Sequence, residues 1–138
     1  MRVSIFGSRS IYDERAYLFI EQTIKEIEKY ASVTAIVTAQ EPKGVCKIAQ
    51  TYAKRNSIKL ELHFLNNKKW GTGMYHARSN AILENSDLCI LIHDGISQGT
   101  FNEWELCEKK NKKHIYEQMS PTKDEYSRIE QVSIINKN

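Results

Sequence analysis

A chain of 138 residues, against about 150 for a typical domain, is read as one compact domain and excludes a two-domain enzyme. With 41% hydrophobic and 27% charged residues, 6 Gly and 2 Pro, its usage is ordinary globular, which excludes collagen-like, low-complexity and wholly disordered chains. Twenty Lys and Arg against 17 Asp and Glu leave +3, too mild a surplus to hold a polyanion through net charge, so any basic site has to be local.

The longest apolar runs, such as Leu88 to Ile92, are about five residues against the roughly 20 a membrane span needs, so a soluble chain with no membrane partner is expected. Met1 to Phe6 meets Gly7 and polar residues before a signal-peptide core develops, and secretion is not expected. Cys46, Cys89 and Cys107 form an odd set without CxxC spacing. They suggest neither a disulfide framework nor a zinc site, and point to reduced thiols in a cytoplasm.

Arg2 to Phe6 is β-prone and ends at Gly7-Ser8-Arg9-Ser10, which reads as a strand and a sharp turn. From Asp13 to Tyr30 the apolar positions Ala16, Ile20, Ile24, Ile27 and Ala31 predict an amphipathic helix, with Ser10 as its start signal. Val33 to Thr38 is rich in β-branched residues and reads as a second strand, and Gly44 to Arg55 as a second helix. Ile58 to Leu65 alternates as a third strand; Asn66 to Gly73 reads as a loop, and Tyr75 to Asn85 as a helix. Leu88 to Ile92 is continuously apolar, as a strand covered on both faces should be, and is expected at the sheet centre. A helix over Thr100 to Lys113 and an edge strand over His114 to Gln118 follow. Such alternation predicts a doubly wound α/β sandwich with a mainly parallel sheet of about five strands flanked by helices. The domain is expected to occupy residues 1–119. Residues 120–138 form a tail in which Arg128 to Asn136 has some strand character, suited to an edge or a subunit contact, or else frays.

In open parallel sheets ligands collect beyond the carboxyl ends of the strands. Four polar segments lie there: Gly7-Ser8-Arg9, Ala39 to Gly44, Asn66 to Arg78, and Asp94 to Glu103. In the last, Gly95, Gly99 and Thr100 straddle a strand-to-helix turn where small residues let backbone approach an anion. A phosphate there takes hydrogen bonds from N–H groups around Gly99 and Thr100 and from the Ser97 and Thr100 hydroxyls. Thr100 and Glu103 also have the spacing of a capping box, which would satisfy the helix end without a ligand. Arg78 is read either as a solvent-facing structural residue or as a counter-charge facing Glu103 across a ligand. His76 and His93 lack a third ligand at metal spacing, so no metal site is expected. Trp70 and Tyr75 either stack on a base or pack their loop. Lys109 to Lys113 reads as a solvated helix end favoured by the helix dipole. In the second segment Glu41 would repel a phosphate and Lys43 attract one.

These segments resemble the SLOG superfamily of Rossmann-like proteins, particularly its small YspA-like bacterial and phage members, over about 110 residues. Gly7-Ser8-Arg9 is similar to the family's opening motif, and Ala77-Arg78-Ser79-Asn80 to its arginine-asparagine helix start. Ser86 to Ile90 fits its aspartate-then-strand segment, and Asp94-Gly95-Ile96-Ser97-Gln98-Gly99-Thr100 resembles its glycine-rich turn. Related LOG-type phosphoribohydrolases carry a "P-G-G-x-G-T-x-x-E" turn whose glutamate works with an arginine to cut the N-glycosidic bond of nucleoside monophosphates. Gly99-Thr100-Phe101-Asn102-Glu103 keeps the last part, with His93-Asp94 in place of the opening Pro-Gly, and Arg78 resembles the partner. Only Gly44 matches the family's second loop, whose other glycines and aspartate are missing.

The resemblance implies a Rossmann-like nucleotide-binding domain whose ligand touches Gly7, Ser8, Arg9, Gly44, Arg78, Asn80, Asp94, Gly95, Ser97, Gly99, Thr100 and Glu103. The leading expectation is a module that senses or sequesters a nucleoside phosphate or an ADP-ribose-like signal, in antiviral defence or its suppression. An N-glycosidase using Arg78 and Glu103 as catalytic residues is the alternative. Single-stranded nucleic-acid binding, suggested by a pI near 8.7 and the lysine clusters, ranks third. No cofactor is implied. Family members commonly pair through helices, so a homodimer or higher homo-oligomer is expected, with Tyr17, Phe19 and Trp104 serving it or completing the core.

Overall fold

The computed structural model describes residues 1–123; the strand character expected over 128–136 lies outside the described residues. The sheet consists of β1 (Arg2–Gly7), β2 (Ala35–Ala39), β3 (Lys59–His63), β4 (Leu88–His93) and β5 (His114–Gln118). It is parallel throughout, in the order β3-β2-β1-β4-β5. Four longer helices flank it: α1 (Glu14–Glu28), α2 (Val45–Arg55), α4 (Met74–Glu84) and α5 (Gln98–Lys109). This is the doubly wound, Rossmann-like α/β sandwich that the alternating sequence predicts.

Alternation along each strand assigns side chains to the two faces. Val3, Ile5, Ile36, Ile90 and Ile92 meet Ala16, Ile20 and Ile24 of α1 and Ala49 and Ala53 of α2. Phe6, Val37, Cys89 and Leu91 point the other way, onto Ile82 and Leu83 of α4 and Cys107 of α5. The chain winds outward from β1 through β2 to β3, then crosses to β4 on the other side of β1 and continues to β5. The order therefore reverses between β1 and β4, where the loops beyond the strand ends diverge and leave a crevice.

Several expected elements shift for local reasons. β4 is an interior strand between β1 and β5, and the centre belongs to β1: continuous apolarity reports cover on both faces, not rank in the sheet. α1 starts at Asp13 rather than Ser10, because the Asp13 carboxylate accepts the Arg15 N–H at 2.9 Å. The stretch expected as loop holds one helical turn, α3 (Asn67–Trp70), whose Asn66 cap accepts the Lys69 N–H, then a 3-10 turn over Gly71–Gly73. α5 stops at Lys109 because Asn111 takes a left-handed φ of 52° and a Schellman pair closes behind it, Lys112 N–H to the Cys107 carbonyl and Asn111 N–H to that of Glu108. Of the lysines beyond, Lys112 donates to the Ser86 carbonyl at 2.6 Å.

Tyr17 and Phe19 pack against the α1–α2 core and Trp104 against the other, so these three aromatics complete the core. Tyr17 meets Tyr52 edge-on, and Trp104 rests between Phe101 and Tyr116. No helix among the described residues is long and apolar enough to cross a membrane. After β5 the chain turns back over the strand ends: Thr122 donates its N–H to the Ser10 carbonyl, and Arg15 reaches the Ser120 carbonyl at 2.7 Å.

Candidate functional site

A cleft of about 840 Å³ opens at the reversal point, walled by the loops after β1 and β2, by the first turns of α4 and by one side of α5 from Gly99 to Lys109. Its first wall is built around Ser8. The Ser8 N–H donates to the Ile92 carbonyl, extending the β1–β4 ladder by one bond, and its own carbonyl accepts from Ile11 and Val45. Its hydroxyl accepts the Asp94 N–H at 3.0 Å and lies 3.3 Å from the Thr100 hydroxyl. One small buried residue thus ties the loops after β1 and β4 to the starts of α2 and α5.

The turn after β4 is held by Asp94. Its carboxylate accepts from the Ile96 and Ser97 N–H groups at 2.8 and 2.7 Å and from the Ser97 and Ser10 hydroxyls at 2.6 and 2.7 Å. Burial by itself would raise this carboxyl; the donors from Ser97, Ser10 and Ile96 outweigh burial and hold it well below the usual carboxylate range. Gly95 takes a φ of 85°, the left-handed conformation the reversal needs. Buried His93 braces the turn from beneath: because a carbonyl only accepts, Nε2 donates to the Ser97 carbonyl at 3.0 Å, leaving Nδ1 for the Tyr116 hydroxyl at 2.8 Å. Asp94 and Gly95 therefore shape the turn and do not line the cleft. Replacing Asp94 by Ala strands two N–H groups and two hydroxyls. A loss of about 2–3 kcal/mol in urea unfolding is expected, with faster hydrogen exchange at residues 95–100.

α5 begins at Gln98 with Ser97 as its N-cap, two residues before the expected start, and the capping box does not form. Thr100 turns its hydroxyl to Ser8, and Glu103 accepts from the Ser79 hydroxyl at 3.3 Å. The Gly99 and Thr100 N–H groups have no acceptor among the described residues, and both residues line the cleft with Ser97. Glu103 lies half-buried on the cleft floor, where burial, with Cys107 and Glu41 adding to it against Ser79 and Arg78, pushes its carboxyl up to about 8.

Arg78 reaches the cleft, its side chain 8% exposed, so it is not the solvent-facing residue of the alternative reading. Its guanidinium makes its ion pair with Glu41, donating to Oε1 at 2.6 Å, and Arg9 donates to the same oxygen at 3.0 Å; Glu103, in the same cleft, feels its charge without a hydrogen bond to it. The repulsion expected from Glu41 is thereby met by two guanidiniums. Gln50 locks the main chain beneath, donating to the carbonyls of Ala39 and Glu41 at 3.0 and 3.2 Å. Tyr75 stands under the Arg78 guanidinium, 5.6 Å from ring centroid to Cζ, about half exposed at the cleft wall. Trp70 is outside the wall, its ring beneath Lys69. Lys43 is in the wall with its Nζ 4.3 Å over the Tyr12 ring.

Of the residues the sequence points to, Gly7, Ser8, Arg9, Arg78, Ser97, Gly99, Thr100 and Glu103 line this one cleft. Gly44 stands behind the wall, where a Cβ would lie 2.5 Å from Arg9 Cα. Asn80 points along α4 and donates to Glu84 at 3.1 Å. Sequence reading missed Ser79 and the bridging role of Glu41. Ser79 had a signal: with Tyr75 and Arg78 it shares one helical face at i, i+3 and i+4. No group of His, Cys, Asp and Glu that could hold a metal occurs among the described residues. Compared with family models, curated proteins and solved structures, the chain finds no match.

Proposed function

We propose that this cleft holds a nucleotide-derived small molecule by its phosphate, as a sensing or sequestering module. The observation that carries the reading is the start of α5. Two backbone N–H groups, at Gly99 and Thr100, open to the cleft beside the Thr100 and Ser8 hydroxyls, at the positive end of a 12-residue helix. The one carboxylate in that turn, Asp94, is spent on the turn's own donors and does not oppose an anion. The motif order that resembles the SLOG superfamily supports the same ligand class, and a role in antiviral defence or its suppression belongs to this proposal. Titration calorimetry against AMP, ADP-ribose, NAD and cyclic nucleotides tests it. Thr100→Val is expected to weaken the ligand that binds about tenfold, or about 1.4 kcal/mol. No heat from any of them at high protein concentration overturns the reading.

The second reading, an N-glycosidase, is favoured by Glu103 alone. A carboxylic acid still protonated near neutral pH is a proton donor. It would protonate the departing base nitrogen as the C1′–N bond breaks, and water would add to C1′ with its released proton returning to the Glu103 carboxylate. Nucleoside monophosphates should then release free base, and Glu103→Gln should abolish the release. Binding without base release leaves the module reading alone.

A further inference from the structure

We infer that Ser79 is the positioning residue for Glu103: its hydroxyl holds Oε2 and so turns the other carboxyl oxygen, with the acid's proton, into the cleft. What that proton does there rests on the N-glycosidase reading above. Ser79 lies inside α4, where a serine hydroxyl can return to the carbonyl four residues back. Thr51 of α2 makes that return, donating to the Lys47 carbonyl at 3.2 Å. Ser79 instead crosses to α5 and donates to Glu103 Oε2 at 3.3 Å.

Both helices prepare this meeting. Thr100 spends its hydroxyl on Ser8, so Glu103 is released from its own helix start and reaches across to α4. Arg78, the chain neighbour of Ser79, makes its hydrogen bond with Glu41. Arg78 of α4, Glu41 beyond β2, Cys107 of α5, Cys46 of α2 and Cys89 of β4 all interact with Glu103 through charge. Among the described residues, only Ser79 hydrogen-bonds it. Oε1 therefore has no partner there. No fully enclosed side-chain nitrogen or oxygen of the described residues lacks one, so Oε1 is reached from the cleft that Glu103 lines. A neutral carboxyl carries one donor and one accepting oxygen. With Ser79 donating to Oε2, the proton sits on Oε1 and faces a bound molecule, where a general acid needs it.

Carbon-13 NMR titration of the Glu103 carboxyl, identified by its loss in Glu103→Gln, reads the contact directly. A hydrogen bond donated to the carboxyl favours its charged form, so Ser79→Ala is expected to move the midpoint up from about 8, by about 0.5 pH or more. Were the acid giving its proton to Ser79, the midpoint would move down. In base release from AMP, Ser79→Ala is expected to lower kcat about tenfold with KM within about twofold, and to carry the alkaline limb of the pH profile upward with the carboxyl. Alanine favours a helix, so α4 is kept. Ser79→Thr, which keeps the hydroxyl, should restore both readings. An unchanged or lowered midpoint in Ser79→Ala overturns the inference and leaves the glycosidase reading intact. So does Ser79→Thr behaving as Ser79→Ala, which assigns the effect to packing. A raised midpoint with kcat unchanged overturns the positioning role. If the unaltered protein releases no base, the glycosidase reading falls and the midpoint alone decides whether Ser79 holds the carboxyl.

Discussion

Gly44→Ala is expected to lose about 4 kcal/mol of stability, a large share of the 5–15 kcal/mol typical of a domain, and to lower the melting temperature by roughly 10–15 °C. Two costs add. The backbone at Gly44 has φ 90° and ψ −161°, a region open to glycine and strained for every L-residue, worth about 1–3 kcal/mol. The new Cβ would also stand 2.5 Å from Arg9 Cα and 2.9 Å from the Ser8 carbonyl oxygen, backbone atoms that cannot swing aside, for about another 1–3 kcal/mol. Gly99→Ala is the matched control, since its Cβ meets nothing within 4 Å. Calorimetric melting should show Gly99→Ala equal to or slightly above the parent. A Gly44→Ala melting temperature within about 3 °C of the parent would refute the close packing of α2 on the Ser8–Arg9 turn.

Stability should also fall as pH rises from about 5 to 8, and Glu103→Gln should remove most of that fall. A carboxyl whose folded value is raised, here from 4.5 to about 8, contributes stability that is complete below 4.5 and is lost as pH climbs through 8. Unfolded, the group ionises freely; folded, it holds its proton on the cleft floor. Glu103→Gln is therefore expected to be more stable than the parent by about 2–3 kcal/mol at pH 8 and nearly equal to it at pH 5, read by urea unfolding. The acid limb has the opposite sign. Asp13, lowered by its Arg15 partner, and Asp94, lowered by its hydroxyl and N–H donors against burial, contribute stability above their ordinary 3.8 that is lost as pH falls below it. Of these three groups, only Glu103 weakens the protein on the alkaline side. A parent whose urea midpoint rises between pH 5 and 8 would contradict a Glu103 carboxyl held protonated in the cleft.

The fold was legible because its signals are local. A run such as Leu88 to Ile92 has the length of a covered strand and ends at the His93-Asp94-Gly95 break, and Ala16, Ile20 and Ile24 lie on one face of α1 whatever surrounds them. The small residues of the Asp94–Thr100 turn marked the cleft for the same reason. What escaped the sequence lies between partners far apart along the chain. Arg78 and Glu41 are 37 positions apart, so their ion pair leaves no trace in spacing. Gly44 looked like a ligand residue because its motif position suggested one, whereas the atom that demands glycine there is the Cα of Arg9. The capping box failed because tertiary partners, Ser8 for Thr100 and Ser79 for Glu103, won both side chains from the local arrangement.

Ser8 gathers four segments into one knot, while the stretch from Asn67 to Gly73, just upstream of Tyr75 and His76 in the wall, buries no residue and leaves Gly71 and Gly73 in open space. Invention is therefore confined to one shore: new side chains or insertions there can rewrite which molecule is admitted while the scaffold beneath stays as it is.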